Sequence, residues 1–185
     1  VDIDGQAVEV TKLSLYLKLL ENEGSETPGQ LFKFSDMKLL PSLDSNIKCG
    51  NSLVGSDYYN EKDVSLFDDE AMRKINTFDW DKEFPEVFAQ GGFDCMIGNP
   101  PYVKEYTDTG CFEGLHNHPC YQGKMDLWYF FGYQGIRFAK ENGLVGFIAP
   151  NNWITNAGAS IFRNFILNNA RILQYLETLY WIMQR

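Results

Sequence analysis

Hydrophobic and polar residues alternate along this chain in two rhythms. Val10, Leu13, Leu17 and Leu20 recur at helical spacing, which predicts an amphipathic helix from about Gln6 to Glu21. Glu23 to Gly29 is a polar breaker, and Ile47-Lys48-Cys49 is a short strand ending at Gly50-Asn51-Ser52. Asp57 to Glu86 is acidic and turn-rich, with a helix expected around Asp69 to Ile75. Phe93 to Ile97 forms an apolar strand that runs into Gly98-Asn99-Pro100-Pro101-Tyr102. After a polar loop to about Met125, Asp126 is placed to cap a helix through Lys140 that buries Leu127, Phe130, Phe131 and Phe138. Asn142-Gly143 closes that helix, Leu144 to Ala149 is a buried strand, Ser160 to Asn168 a further helix, and Ile172 to Leu176 a last strand.

Strands alternating with helices imply an α/β fold with a parallel sheet, whose ligand loops gather at the carboxyl ends of the strands. Asp2, Asn51 and Asn99 all fall at such ends, so a single shared site is expected. The 185 residues are enough for one domain with a real core. Aromatic residues make up 15%, which suits a bulky core, a planar ligand, or both. No apolar run approaches the roughly 20 residues of a membrane span, and four scattered cysteines do not make a secreted disulfide framework. A reducing, cytoplasmic setting is expected. The net charge of −9 argues against extensive phosphate contacts made by this chain itself.

The sharpest chemical signal is Asn99-Pro100-Pro101-Tyr102 directly after a strand. An exocyclic amine such as adenine N6 is a poor nucleophile because its lone pair is delocalised into the ring. Two acceptors on its two N–H groups favour a more tetrahedral nitrogen and aim the lone pair at an electrophile. The Asn99 side-chain oxygen and the Pro100 carbonyl can supply that pair. The prolines stiffen the loop, and Tyr102 offers a face for a planar base, worth roughly 1–3 kcal/mol per stacked base. Taken alone, the same tetrapeptide could be a rigid turn with Tyr102 covering the core.

Phe93 to Val103 resembles the catalytic loop of amino-group DNA methyltransferases, and the wider chain resembles the Eco57I-type adenine methyltransferases of restriction–modification systems. The stretches that carry the likeness are Val1-Asp2-Ile3-Asp4, Asn46 to Leu53, Phe78-Asp79-Trp80, Phe84 to Phe88, Gly123 to Leu127 and Gly143 to Trp153. The resemblance implies a doubly wound, Rossmann-like class I methyltransferase sheet, transfer of a methyl group from S-adenosylmethionine to adenine N6, double-stranded DNA with a flipped adenine as partner, and a fused or associated endonuclease. It assigns Asp2 to the ribose hydroxyls of the cofactor, Ile3 to its adenine face, and Asn51 and Ser52 to its adenine edge. The family often has Asp where Asn51 stands. Asn99, Pro100, Pro101 and Tyr102 become the catalytic set.

Against that pattern, residues 1–185 read as a partial catalytic domain with an acidic insertion at about 57–86. The first strand with its Gly-rich loop, the C-terminal strands and a target-recognition domain are expected to lie outside them, and the piece alone is expected to be inactive. A methyltransferase acting on another planar amine, in protein glutamine or RNA, and a non-functional truncated fragment are the competing readings. Cys111, His116, His118 and Cys120 could be written as a zinc site, but their compressed spacing fits an incidental polar loop better. Lys104 could reach a phosphate or be plainly solvated, and Trp153 is expected to pack rather than stack on substrate.

Overall fold

The computed structural model describes residues 1–21, 42–59, 72, 75–176 and 180–185. The breaker at Glu23 to Gly29 lies outside the described residues, as does most of the helix expected around Asp69 to Ile75. Helix α1 (Gly5–Glu21) forms where the periodicity places it. Its apolar stripe is nonetheless open: Val10, Leu13 and Leu17 are each more than half exposed, and among its described side chains only Val8 is buried. Helical spacing reports a face that can be buried, not one that is covered.

Among the described residues four strands make one sheet: β1 (Phe93–Gly98), β2 (Ala139–Ile148), β3 (Arg171–Leu176) and β4 (Tyr180–Gln184), in the order β1-β2-β4-β3. β1 and β2 run parallel, while β4 is antiparallel to both of its neighbours. The apolar stretch at 180–184 thus forms a strand inserted between β2 and β3. β2 begins earlier than its apolar run suggests. Asn142 sits at φ 66° inside a bulge between the pairs Phe93–Ala139 and Cys95–Leu144, and so does not close the preceding helix. A left-handed Asn followed by Gly is what a bulged strand can use. The expected strand at Ile47-Lys48-Cys49 is reduced to a parallel bridge between Cys49 and Asp2.

Two short helices, α2 (Trp80–Glu83) and α3 (Pro85–Ala89), lead into β1. Trp80, Phe88, Phe93 and Phe138 pack edge-on or tilted at 5.2–5.9 Å between ring centroids. This cluster joins the Phe78-Asp79-Trp80 segment to the start of β1 and the end of helix α4 (Trp128–Phe138). α4 starts two residues after Asp126, and its cap position falls on Leu127 without a side-chain cap bond. Asp126 does not cap because its carboxylate is buried and committed elsewhere: it accepts from the Tyr129 hydroxyl at 3.1 Å and from Asn152 Nδ2 at 2.9 Å. Helix α5 (Ser160–Asn169) packs Phe162 parallel to Tyr129, with ring centroids 5.4 Å apart, and edge-on to Trp128. One of its first-turn N–H groups is satisfied from a distance: Gln122 Oε1 accepts from Ile161 N at 2.6 Å, and also from the Ser160 hydroxyl at 2.9 Å.

Phe147, opposite Gly98 in the parallel pair, controls the end of β1. Its buried ring lies between two glycines. A Cβ at Gly98 would fall on Cε1 of the ring, and a Cβ at Gly135 would stand 2.9 Å from Cε2. Glycine inside a helix costs about 1 kcal/mol relative to Ala, and here the missing side chain is the space the ring fills. Gly98→Ala in the intact protein is expected to lower stability by about 1–3 kcal/mol through overpacking, with partial recovery on adding Phe147→Leu. Thermal melts of both variants check this, and an unchanged midpoint for Gly98→Ala would contradict it.

The Cys111-to-Cys120 segment does not converge on a point. Cys120 is fully buried, its thiol pushed up to about 12 by desolvation, while Cys111 is exposed and donates to Asp108. The His118 ring lies edge-on to Phe130 and Tyr133, and its Nδ1 accepts from Cys120 N at 3.1 Å. Among the described residues no group of three His, Cys, Asp or Glu is arranged to hold a metal ion. Burial, and secondarily the Arg137 charge, lowers His118 from 6.5 to about 4. The unfolded chain therefore takes up a proton that the folded chain refuses. Stability is full above pH 6.5 and falls as pH drops toward 4. His118→Gln is expected to flatten that decline in denaturant titrations across this window; the same slope in both proteins would count against it.

Candidate functional site: a cleft at the end of β1

Asp2, Ile3, Asn51, Ser52, Asn99, Pro100 and Pro101 line one cleft of about 530 Å³. They reach it from three stretches of chain that local bonds tie together. Asp2 N donates to Lys48 O at 3.1 Å and Gly50 N donates to Asp2 O at 2.8 Å, so the residues after Val1 lie alongside Cys49 and Gly50. The Asp2 carboxylate is exposed and accepts from Asp4 N at 2.9 Å. Gly50 has no room for a side chain, because a Cβ there would sit 2.6 Å from the Phe78 ring.

Asn76 holds this side of the cleft and was not singled out from the sequence. Its carbonyl accepts from Asn51 N at 2.6 Å, and its Nδ2 donates to Ile3 O at 3.3 Å. It adopts φ 47°, a left-handed conformation that Asn tolerates better than most residues. The available signal was a turn-forming Asn within the acidic, turn-rich segment, and that is too common to act on. Asn51 Oδ1 accepts from Leu53 N at 3.1 Å, closing a local turn. Trp80 Nε1 donates to Ser52 O at 2.9 Å, which links this turn to the aromatic cluster at the base of β1.

Asn99 follows β1 directly and is exposed, Pro100 is buried, and Pro101 is exposed. Tyr102 does not line the cleft wall. Its ring is 45% exposed beyond the prolines, and its hydroxyl stands 2.8 Å from the Asn99 side-chain oxygen and 2.7 Å from the Ile148 carbonyl at the end of β2. The loop is thereby fastened to both strands of the parallel pair. The remaining wall is largely apolar, with Met96, Ile97, Leu127, Phe131 and Phe147, plus Gln134 from α4. Asp2 is the one charged side chain among the lining residues. Lys104 lies outside the wall, exposed, with its ammonium 5.7 Å from the centre of the Tyr106 ring. Trp153 is buried edge-on against Phe162, so it packs as expected.

A carboxylate, an amide turn and a rigid Asn-Pro-Pro loop around one partly apolar cleft suit a nucleoside-bearing ligand next to a planar amine. The family described as Eco57I restriction-modification methylase matches residues 1–180. The type II restriction enzyme and methyltransferase RM.Eco57I of Escherichia coli is 30% identical over 91% of this chain and 15% of its own length. The adenine-specific methyltransferase PglX of Streptomyces coelicolor is 28% identical over 96% of the chain, again 15% of its own length. The type II methyltransferase M.BanIII of Aneurinibacillus aneurinilyticus is 25% identical over 85% of the chain and 25% of its own length. The chain thus spans between about a seventh and a quarter of these relatives. With a match that runs through nearly every residue, including the loop after β1, the chain belongs to the Eco57I restriction-modification methylase family.

Proposed function

We propose that this chain carries the cofactor face and catalytic loop of a site-specific DNA methyltransferase, which moves a methyl group from S-adenosylmethionine to adenine N6 as the modification part of a restriction–modification system. The observation that carries the reading is the Asn99-Pro100 loop at the end of β1, opening onto the same cleft as Asp2 and Asn51. The names of relatives, one of them adenine-specific, point the same way.

S-adenosylmethionine is the cofactor that the family implies. The cleft's volume is in the range of small-molecule sites, roughly 300–1,000 Å³, and its polar groups suit the nucleoside half of that molecule. Asp2 would accept from the ribose hydroxyls, Ile3 would cover one adenine face, and Asn51 and Ser52 would meet the adenine edge. When bound, the cofactor supplies a methyl group made electrophilic by its sulfonium. Among the described residues no cationic side chain lines the cleft to take the methionine carboxylate, so the described lining accounts for the adenosine end.

The chain's own part in the reaction is positional. The Asn99 side-chain oxygen and the Pro100 carbonyl accept hydrogen bonds from the two amine N–H groups and direct the nitrogen lone pair, and the Tyr102 ring supports the base. The proton left on the methylated nitrogen can pass to water. Rate enhancement then comes from orientation and preorganised dipoles. No helix among the described residues is long and apolar enough to cross a membrane.

Asn99→Ala in the intact protein is expected to cut methyl transfer to DNA by at least about 100-fold while leaving cofactor affinity near normal. Tritium transfer and calorimetry check the two halves, and near-normal turnover would sink the assignment. Asp2→Ala is expected to weaken cofactor binding by about 1.5–3 kcal/mol, the usual size for hydrogen bonds to a charged group. An unchanged dissociation constant would return Asp2 to a solvated strand-end carboxylate.

A further inference from the structure

Among the described residues the Tyr102 hydroxyl stands within hydrogen-bond distance of the Asn99 side-chain oxygen and the Ile148 carbonyl, and it has one proton. Ile148 O, at 2.7 Å, can only accept. Two oxygens that close repel unless a hydrogen lies between them, so the phenolic proton belongs to Ile148. The phenolic oxygen then faces the Asn99 amide, 2.8 Å away, with lone pairs only. An amide oxygen in that position would again set oxygen against oxygen. The amide NH2 has nearly the same shape and would complete the chain of donors.

We propose that the Tyr102 hydroxyl is a positioning group that selects which end of the Asn99 amide faces the cleft. Asn99 Nδ2 donates to Tyr102, Tyr102 donates to Ile148 O, and the Asn99 oxygen is left for the substrate amine. This rests on the function proposed above and deepens it. An amine presents hydrogens, so an Asn99 turned the other way would meet them with hydrogens of its own. The ring of Tyr102 cannot make that choice; only its hydroxyl can. Through Ile148, the choice is also tied to the end of β2, so the amide orientation and the strand register are set together.

Tyr102→Phe keeps the ring and removes the hydroxyl. In the intact protein, the modified sequence is first mapped on plasmid DNA. Duplexes are then made with adenine or with hypoxanthine at the target position, hypoxanthine carrying an oxygen where adenine carries the amine. Tyr102→Phe is expected to lower kcat by about tenfold, the size of one hydrogen bond, with cofactor affinity unchanged. Its binding preference for the adenine duplex over the hypoxanthine duplex should narrow several-fold, because a released amide can turn its NH2 to the oxygen. A loop that has merely loosened would weaken both duplexes alike, and an unchanged ratio would overturn the proposal. In an Asn99→Asp background both terminal atoms are oxygens, so adding Tyr102→Phe should leave the ratio where Asn99→Asp alone puts it. A further shift of the wild-type size there would also overturn it. If the unaltered protein methylates no plasmid DNA, the proposed function itself fails, and this inference falls with it.

Discussion

Gly98 and Phe147 face each other across the parallel pair of β1 and β2, and the geometry of the cleft follows from that register. Because Gly98 has no side chain, the Phe147 ring can cross beneath the end of β1 and rest against Gly135 of α4. β1 therefore ends at a fixed height, with Asn99 on the cleft and Pro100 buried behind it. One residue further along β2, Ile148 offers its carbonyl to Tyr102. A shift of one position in the pair would reverse every side chain on β1 and move that carbonyl away from the loop. Packing, register and chemistry meet at a glycine that two prolines then follow.

On the opposite side, the site depends on weaker ties. Asp2 and Asn51 are held by single bridges, by Asn76 in a left-handed conformation, and by the contact of Trp80 with Ser52. Phe78 needs Gly50 in the way Phe147 needs Gly98: an aromatic ring occupies the volume that a Cβ would take. Both glycines stand immediately before an Asn on the cleft, Asn51 and Asn99. Close packing of rings against bare backbone lets two short loops approach a common space.

Much of this was legible in the sequence because local chemistry decided it. The strand at Phe93, the helices near Gln6 and Ser160, and the Asn-Pro-Pro-Tyr loop were set by apolar runs and by proline, which act within a few residues. What escaped was decided by distant partners. Asp126 looks like a helix cap, yet its buried carboxylate is drawn into a half-buried bond with Asn152, 26 residues away. Gln122, unremarkable in the sequence, accepts from the Ile161 N–H in the first turn of α5. The α1 stripe had the right period, but period alone cannot say what covers a face. Asn76 had no distinguishing neighbour, although it joins the Asp2 and Asn51 stretches. The hydroxyl of Tyr102 was hidden by its ring, whose stacking role was the easier inference.

The acidic balance of the chain, −9 overall, limits what it can do for a nucleic acid. Phosphate recognition draws on clustered Lys and Arg, whereas the described lining of the cleft is largely apolar and amide-bearing, with Asp2 as its charged side chain. Within the proposed function this chain's part therefore lies with the base and the cofactor, not with the DNA backbone. Its central claim is that the Asn99 loop directs an adenine amine at a methyl donor. The most direct measurement is nucleoside analysis by mass spectrometry of unmethylated plasmid DNA incubated with the intact protein and S-adenosylmethionine. The account predicts N6-methyladenine as the new modified nucleoside. A methylated cytosine in its place, or no modified nucleoside from a protein that binds the cofactor, would contradict it.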